Sequence, residues 1–209
     1  MLYSAERRGQ RLLRDRGGLH DVVLRTRPYE GGHQGLLRVN ERIYNVLFLC
    51  TGNSARSIIA EALLNAMGKG RFRAYSAGSH PSGKVNPYVA EFLQSMGLST
   101  AGARSKSWDE FARPDGPKMD LVITVCDNAA GEVCPVWQGM PAKAHWSAPD
   151  PAARIDRPEK AREVAREVYH LMQRRISLML ALPIETLDAM SLQAEVRGIA
   201  NQTGPQKQA

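Results

Sequence analysis

The sequence predicts an α/β fold: a small doubly wound, four-stranded parallel sheet in the order 2-1-3-4, with helices on both faces. Three observations carry that expectation. Short runs of branched, aromatic and aliphatic residues alternate with longer stretches of helical periodicity, the pattern of strands joined by crossover helices. Gly68, Gly78 and Gly97 close elements while Pro87 and Pro158 open them, as the stereochemistry of element ends favours. At 209 residues, 43% of them hydrophobic, the chain can bury one substantial core and is short for two.

The first strand is the apolar run Tyr44-Asn45-Val46-Leu47-Phe48-Leu49, which suits a strand buried on both faces. A Gly-containing loop leads into a helix over residues 57–67. Residues 73–77 form the second strand, and Asn86-Pro87 opens a helix to Met96. Leu121–Val125 is the third strand and Ala144–Trp146 a short fourth. Pro158 opens a long helix to Leu180, on which Ala161, Val164, Ala165, Val168, Leu171 and Met172 follow a helical stripe. Residues 41–182 are therefore read as the domain. Pro183 breaks the long helix, and residues 183–209 are read as a C-terminal helix over 184–198 with a disordered polar tail from Asn201. Residues 1–40, rich in Arg and Gly and without periodicity, read as an irregular or disordered basic extension.

The formal net charge is +7. Residues 1–40 hold eight Arg against four acidic residues, and the remainder is close to balance at 20 basic and 17 acidic. A balanced domain argues against nucleic acid as the main partner. No apolar run reaches the length of a membrane span. The chain contains three cysteines, Cys50, Cys126 and Cys134. That is too few and too odd a number for a secreted disulfide scaffold, so a reducing compartment, the cytoplasm, is expected.

Chemistry concentrates between the first strand and the first helix. The segment Cys50-Thr51-Gly52-Asn53-Ser54-Ala55-Arg56-Ser57 has the pattern C-x5-R-S. A loop of that length can turn successive N–H groups inward and, with the helix N-terminus behind it, cradle an anion. Gly52 is expected to supply the backbone freedom of the tight turn. Arg56 offers a planar fork of donors to a tetrahedral oxyanion. The same positive field should hold Cys50 as a thiolate at neutral pH, with Ser57 donating to the sulfur and Asn53 pinning the loop.

Val46-Leu47-Phe48-Leu49 running into this loop, with Ile59-Ala60-Glu61 in the helix behind it, resembles the low-molecular-weight protein tyrosine phosphatase superfamily. Within it, the chain is similar to the arsenate reductases coupled to a thiol carrier. The resemblance runs from about Tyr44 to about Leu180. It implies oxyanion binding by Thr51, Gly52, Asn53, Ser54, Ala55, Arg56 and Ser57. It also implies a potassium ion near the loop, matched at Asn53, Glu61 and Ser76; the acidic ligand expected further on is replaced near Ser107, which argues against the ion.

Cys126 directly follows the third strand. In the order 2-1-3-4 it emerges on the same rim as Cys50, since neighbouring strands lie about 4.8 Å apart and ligands bind at their carboxyl ends. Cys134 follows on a loop of small residues, Ala129-Ala130-Gly131. The spacing does not suit zinc. Two buried structural cysteines are the other reading of the residues alone. The resemblance implies instead a redox pair, because these reductases carry a CxxxxxxxC segment and the tyrosine phosphatases do not. Asp150, in His145-Trp146-Ser147-Ala148-Pro149-Asp150-Pro151, matches the family's DP segment, which implies a general acid; by itself Asp-Pro is a common turn.

The expectation is a disulfide relay with Cys50, Arg56, Cys126, Cys134 and Asp150 catalytic. Arsenate is the substrate and phosphate a competitor. No cofactor is tightly bound, and an external thiol reductant, thioredoxin or glutathione with glutaredoxin, supplies electrons. A tyrosine phosphatase working through a phosphocysteine is the alternative.

Overall fold

The first strand, β1 (Tyr44–Cys50), is buried at every position but Asn45, and this fixes it at the centre of the sheet. The computed structural model describes residues 42–133, 135–154 and 156–204. The basic segment 1–40 and Cys134 lie outside them. β1 pairs in parallel with β2 (Phe72–Gly78) on one side and β3 (Leu121–Thr124) on the other, and β3 pairs in parallel with β4 (Ala142–His145). The order is β2-β1-β3-β4, as expected.

Alternation along β1 feeds two cores. Val46 and Phe48 pack with α1 (Arg56–Met67), α2 (Pro87–Ser95) and α5 (Pro158–Leu180) in the larger cluster. Leu47 and Leu49 face a smaller one, built with Phe111 of the four-residue α3 (Asp109–Ala112), Met119, Val122 and Trp137. Trp108, at the start of α3, packs against this second cluster. Helix α2 begins as its sequence dictates: Pro87 opens it and the Asn86 carboxamide accepts from the Tyr88 and Val89 N–H groups.

Three expectations change. β4 starts at Ala142 and ends at His145; the Trp146 N–H still donates to the Thr124 carbonyl of β3 at 2.7 Å, while its buried ring donates the indole N–H to the Val196 carbonyl at 2.9 Å. Residues 129–131 are not an irregular loop: they lie in the single-turn helix α4 (Asp127–Gly131), capped by Cys126. The C-terminal helix, α6 (Ala189–Thr203), runs past Asn201 and belongs to the same core, with Leu192, Val196 and Ile199 buried. It also closes the outer edge of β4. Gln193 accepts from the Lys143 N–H and Arg197 donates to the Lys143 carbonyl. A division at residue 182 would cut through packed side chains.

Candidate active site

Parallel pairing brings the carboxyl ends of β1 and β3 to one rim, and Cys50, ending β1, is almost wholly buried there. The loop after it is shaped from outside. The Cys50, Thr51, Gly52 and Ser54 carbonyls accept from the N–H groups of Ser79, His80, Ser82 and Asn86 at 2.9–3.3 Å. In a trans peptide the next N–H points opposite to the carbonyl. The amides of Thr51, Gly52, Asn53 and Ala55 therefore face inward, and that of Asn53 reaches the Cys50 sulfur at 3.1 Å. Behind them α1 begins at Arg56 with no side-chain cap and no acidic residue in its first turn, leaving amides and the positive end of the helix dipole toward the cradle.

The backbone freedom falls elsewhere than at Gly52. Asn53 takes the left-handed conformation, φ 42°, while a side chain at Gly52 would meet only Ser54 Oγ at an ordinary 3.6 Å. Gly78 is the glycine that matters: a Cβ there would collide with the Thr51 carbonyl and press on Asn53. It faces Cys50 across the β1–β2 ladder.

Asn53 is fully buried and satisfied. Its amide donates to Ser57 Oγ and Ser76 Oγ, both at 2.9 Å, and its carbonyl oxygen accepts from the Lys106 N–H at 2.8 Å. Ser57 Oγ is also hydrogen-bonded to Cys50 Sγ, 3.0 Å away, and donates to it once the sulfur is a thiolate. Ser76 donates in turn to Glu61. The Lys106 ammonium, buried, lies 3.3 Å from Ser76 Oγ and 3.5 Å from Glu61. Two of the three residues matching the potassium pattern thus meet a positive charge supplied by the chain itself.

The expected low thiol pKa is not found. Burial pushes the Cys50 thiol above its ordinary value, outweighing the Ser57 hydroxyl, the Ser57 backbone and the Arg56 charge, which pull it down; Cys126 adds a smaller upward push. The sequence could not show that the sulfur is withdrawn from water. Nor does Arg56 act on it alone: its Nη2 pairs with Asp150 Oδ2 at 2.8 Å and its Nη1 lies 3.5 Å from the Ala148 carbonyl. The other Asp150 oxygen accepts from the Ala152 N–H at 3.0 Å, so the residue is at once a turn former and the carboxylate closest to Arg56.

Cys126 is buried on the same rim, its sulfur 3.5 Å from Thr51 Oγ1 and accepting from the Ala129 N–H at 3.4 Å. His145 is held between Thr124 at 2.8 Å and Asp127 at 3.0 Å. Of the predicted residues, Cys50, Arg56, Cys126, Asp150 and the loop 51–57 come together. Sequence reasoning missed Lys106, Gly78 and Ser105, whose hydroxyl donates to the Gly52 carbonyl at 3.0 Å. Only the position of Gly78 at the end of β2 was a visible signal.

Residues 45–191 match the family described as low molecular weight phosphotyrosine protein phosphatase. The chain belongs to that family. Among its curated relatives is an arsenate reductase from Halalkalibacterium halodurans, 34% identical over 131 residues, covering 63% of this chain and 91% of the relative. The arsenate reductase of Bacillus subtilis is 33% identical over 107 residues, covering 51% of this chain and 73% of its own. The fold is similar to that of an arsenate reductase solved in the phosphate binding state, with TM-score 0.51, 26% identity and coverage of 64% and 97%. It is also similar in fold to the tyrosine phosphatase Wzb from Escherichia coli K30 in complex with sulphate, with TM-score 0.50, 20% identity and coverage of 64% and 96%.

Proposed function

We propose that the chain reduces arsenate to arsenite through a cysteine relay. The observation that carries this reading is a second buried thiol, Cys126, on the rim that holds Cys50, touching the same loop through Thr51. A phosphatase needs one cysteine there; a reductase needs two. The names of the relatives support the same choice.

In this reading the inward amides and Arg56 hold the oxyanion. Cys50 passes its proton to an oxygen of the bound arsenate and its sulfur attacks arsenic. Asp150 protonates the departing hydroxyl, which leaves as water, and an S–As(V) bond remains. The Cys126 sulfur, deprotonated, then attacks Cys50. The S–As electron pair passes to arsenic, which leaves as arsenite, and a Cys50–Cys126 disulfide forms. Cys134, which lies outside the described residues, attacks Cys126 and frees Cys50. An external thiol reductant, one dithiol or two monothiols per turn, reduces the Cys126–Cys134 disulfide, thioredoxin being the first to try and glutathione with glutaredoxin the second. Among the described residues no helix is long and apolar enough to cross a membrane.

The test is arsenate-dependent NADPH oxidation by the reduced protein, with thioredoxin and its reductase in one assay and glutathione, glutaredoxin and glutathione reductase in the other. Turnover in either supports the relay and names the donor. Turnover in neither, with hydrolysis of a phosphotyrosine peptide, would assign the site to phosphatase chemistry. Phosphate should inhibit competitively, because the cradle recognises shape and charge while only As(V) is reduced by sulfur.

A further inference from the structure

Arg175 lies on α5, only 3% exposed. Burial lowers its guanidinium to about 10, and no carboxylate among the described residues forms an ion pair with it. A cation held by neutral partners in a core is costly, and an aliphatic side chain would fill the space at lower cost. What a guanidinium adds is a rigid fork of donors. Here Nε donates to Thr203 Oγ1 at 2.9 Å and Nη1 to the Ser147 carbonyl at 2.8 Å. The Thr203 hydrogen goes to the Ile199 carbonyl at 2.8 Å, so its oxygen is free to accept.

Ser147 opens the stretch that ends at Asp150. Just before it, Trp146 is tied to α6 through the Val196 carbonyl. Arg56 of α1 reaches Ala148 and Asp150. The segment 146–150 is thus held by α5 and α6 as well as by α1. Thr203 and Val196 lie beyond the residues matched to the family, which end at 191, so part of this hold comes from a stretch of chain that the family pattern does not include.

We propose that Arg175 and Thr203 are positioning residues for Asp150, making the C-terminal helix part of the support of the active site. The inference rests on the reading of Asp150 as the proton donor. It is tested on the full chain by Thr203→Val, which keeps shape and removes the hydroxyl, by Thr203→Ser, which keeps the hydroxyl, and by Arg175→Met. Each is made alone and combined with Asp150→Asn. The readouts are kcat and KM for arsenate, phenyl phosphate hydrolysis in parallel, and the alkylation rate of Cys50.

Thr203→Val should lower kcat roughly tenfold, in the range by which small misplacements slow a reaction, with KM and Cys50 alkylation unchanged. Thr203→Ser should restore the rate, and in the Asp150→Asn background neither Thr203→Val nor Arg175→Met should slow it further. Three results would overturn the proposal: wild-type kcat in Thr203→Val, the same loss with Asp150 already replaced, or a parallel fall in Cys50 alkylation, which would mark general loosening. If Asp150→Asn itself leaves both reactions at full rate, the proton-donor reading fails and takes this proposal with it.

Discussion

The two cysteine-bearing segments of the rim are built in opposite ways. Around Cys50, each carbonyl named above is held by residues 79–86, the Asn53 carboxamide is bonded through both its nitrogen and its oxygen, and the sulfur is hydrogen-bonded to the Asn53 N–H and the Ser57 hydroxyl. The stretch after Cys126 has one helical turn, and then Val133, Val136 and Met140 stand 96%, 92% and 88% exposed. The first arrangement holds a geometry. The second is anchored mainly by Trp137 in the smaller core and leaves its other large apolar side chains in solvent, and segments with few buried contacts open at low cost. Attack on arsenic needs fixed atoms, whereas handing on a disulfide needs a thiol that can change partner.

The contrast can be broken at its strongest point first. Cys50→Ser should reduce arsenate turnover by about 10³-fold or more in the coupled assay. Cys134→Ser should halt the relay one step later, and peptide mapping after arsenate treatment should then recover a Cys50–Cys126 disulfide. Recovery of Cys50 and Cys126 as free thiols would remove Cys126 from the reaction.

Next comes the support of the loop. Gly78→Ala drives a methyl into the Thr51 carbonyl and should cost about 1–3 kcal/mol in denaturant unfolding, as overpacking does. Val136→Ser, in the exposed segment, should change stability by no more than about 0.5 kcal/mol. Equal losses at the two positions would mean that the segments are not differently built.

The finest distinction concerns protonation. The Cys50 thiol is raised by burial and held down in part by Ser57. The alkylation rate should therefore rise with pH through a midpoint above that of free cysteine, and Ser57→Ala should move the midpoint higher. The sign for stability follows. A raised folded-state value means that the fold favours the protonated thiol, so this contribution is complete below the ordinary thiol range and fades as pH climbs through the raised value. A midpoint below that of free cysteine would contradict the burial argument.

The parts of this site legible in the sequence are the local ones. β1, the C-x5-R-S loop and α1 are consecutive, and their periods and turn residues are written in one stretch of chain. α5 was readable because Pro158 marks its start and its stripe is long. β4 was readable as a short fourth strand but with its start two residues late, since Ala142-Lys143-Ala144-His145 carries little strand signal and its bounds come from pairing with β3. Lys106, Ser105 and Gly78 act on the loop across sheet and crossover, where no spacing rule reaches. The rise of the Cys50 thiol is hidden for the same reason: charge near a thiol can be read from neighbours in sequence, but loss of solvent depends on everything packed over it.

The closing of β4 by α6 bears on how the protein behaves outside its reaction. With the Lys143 N–H and carbonyl already engaged by Gln193 and Arg197, that side of the sheet offers little to a strand from another molecule, and exposed strand edges are where intermolecular β-pairing and aggregation begin. A chain cut before Ala189 would keep every residue of the thiol relay and still bare this edge. Such a chain should clump and precipitate from solution, on top of the slower chemistry expected once Thr203 no longer holds Arg175.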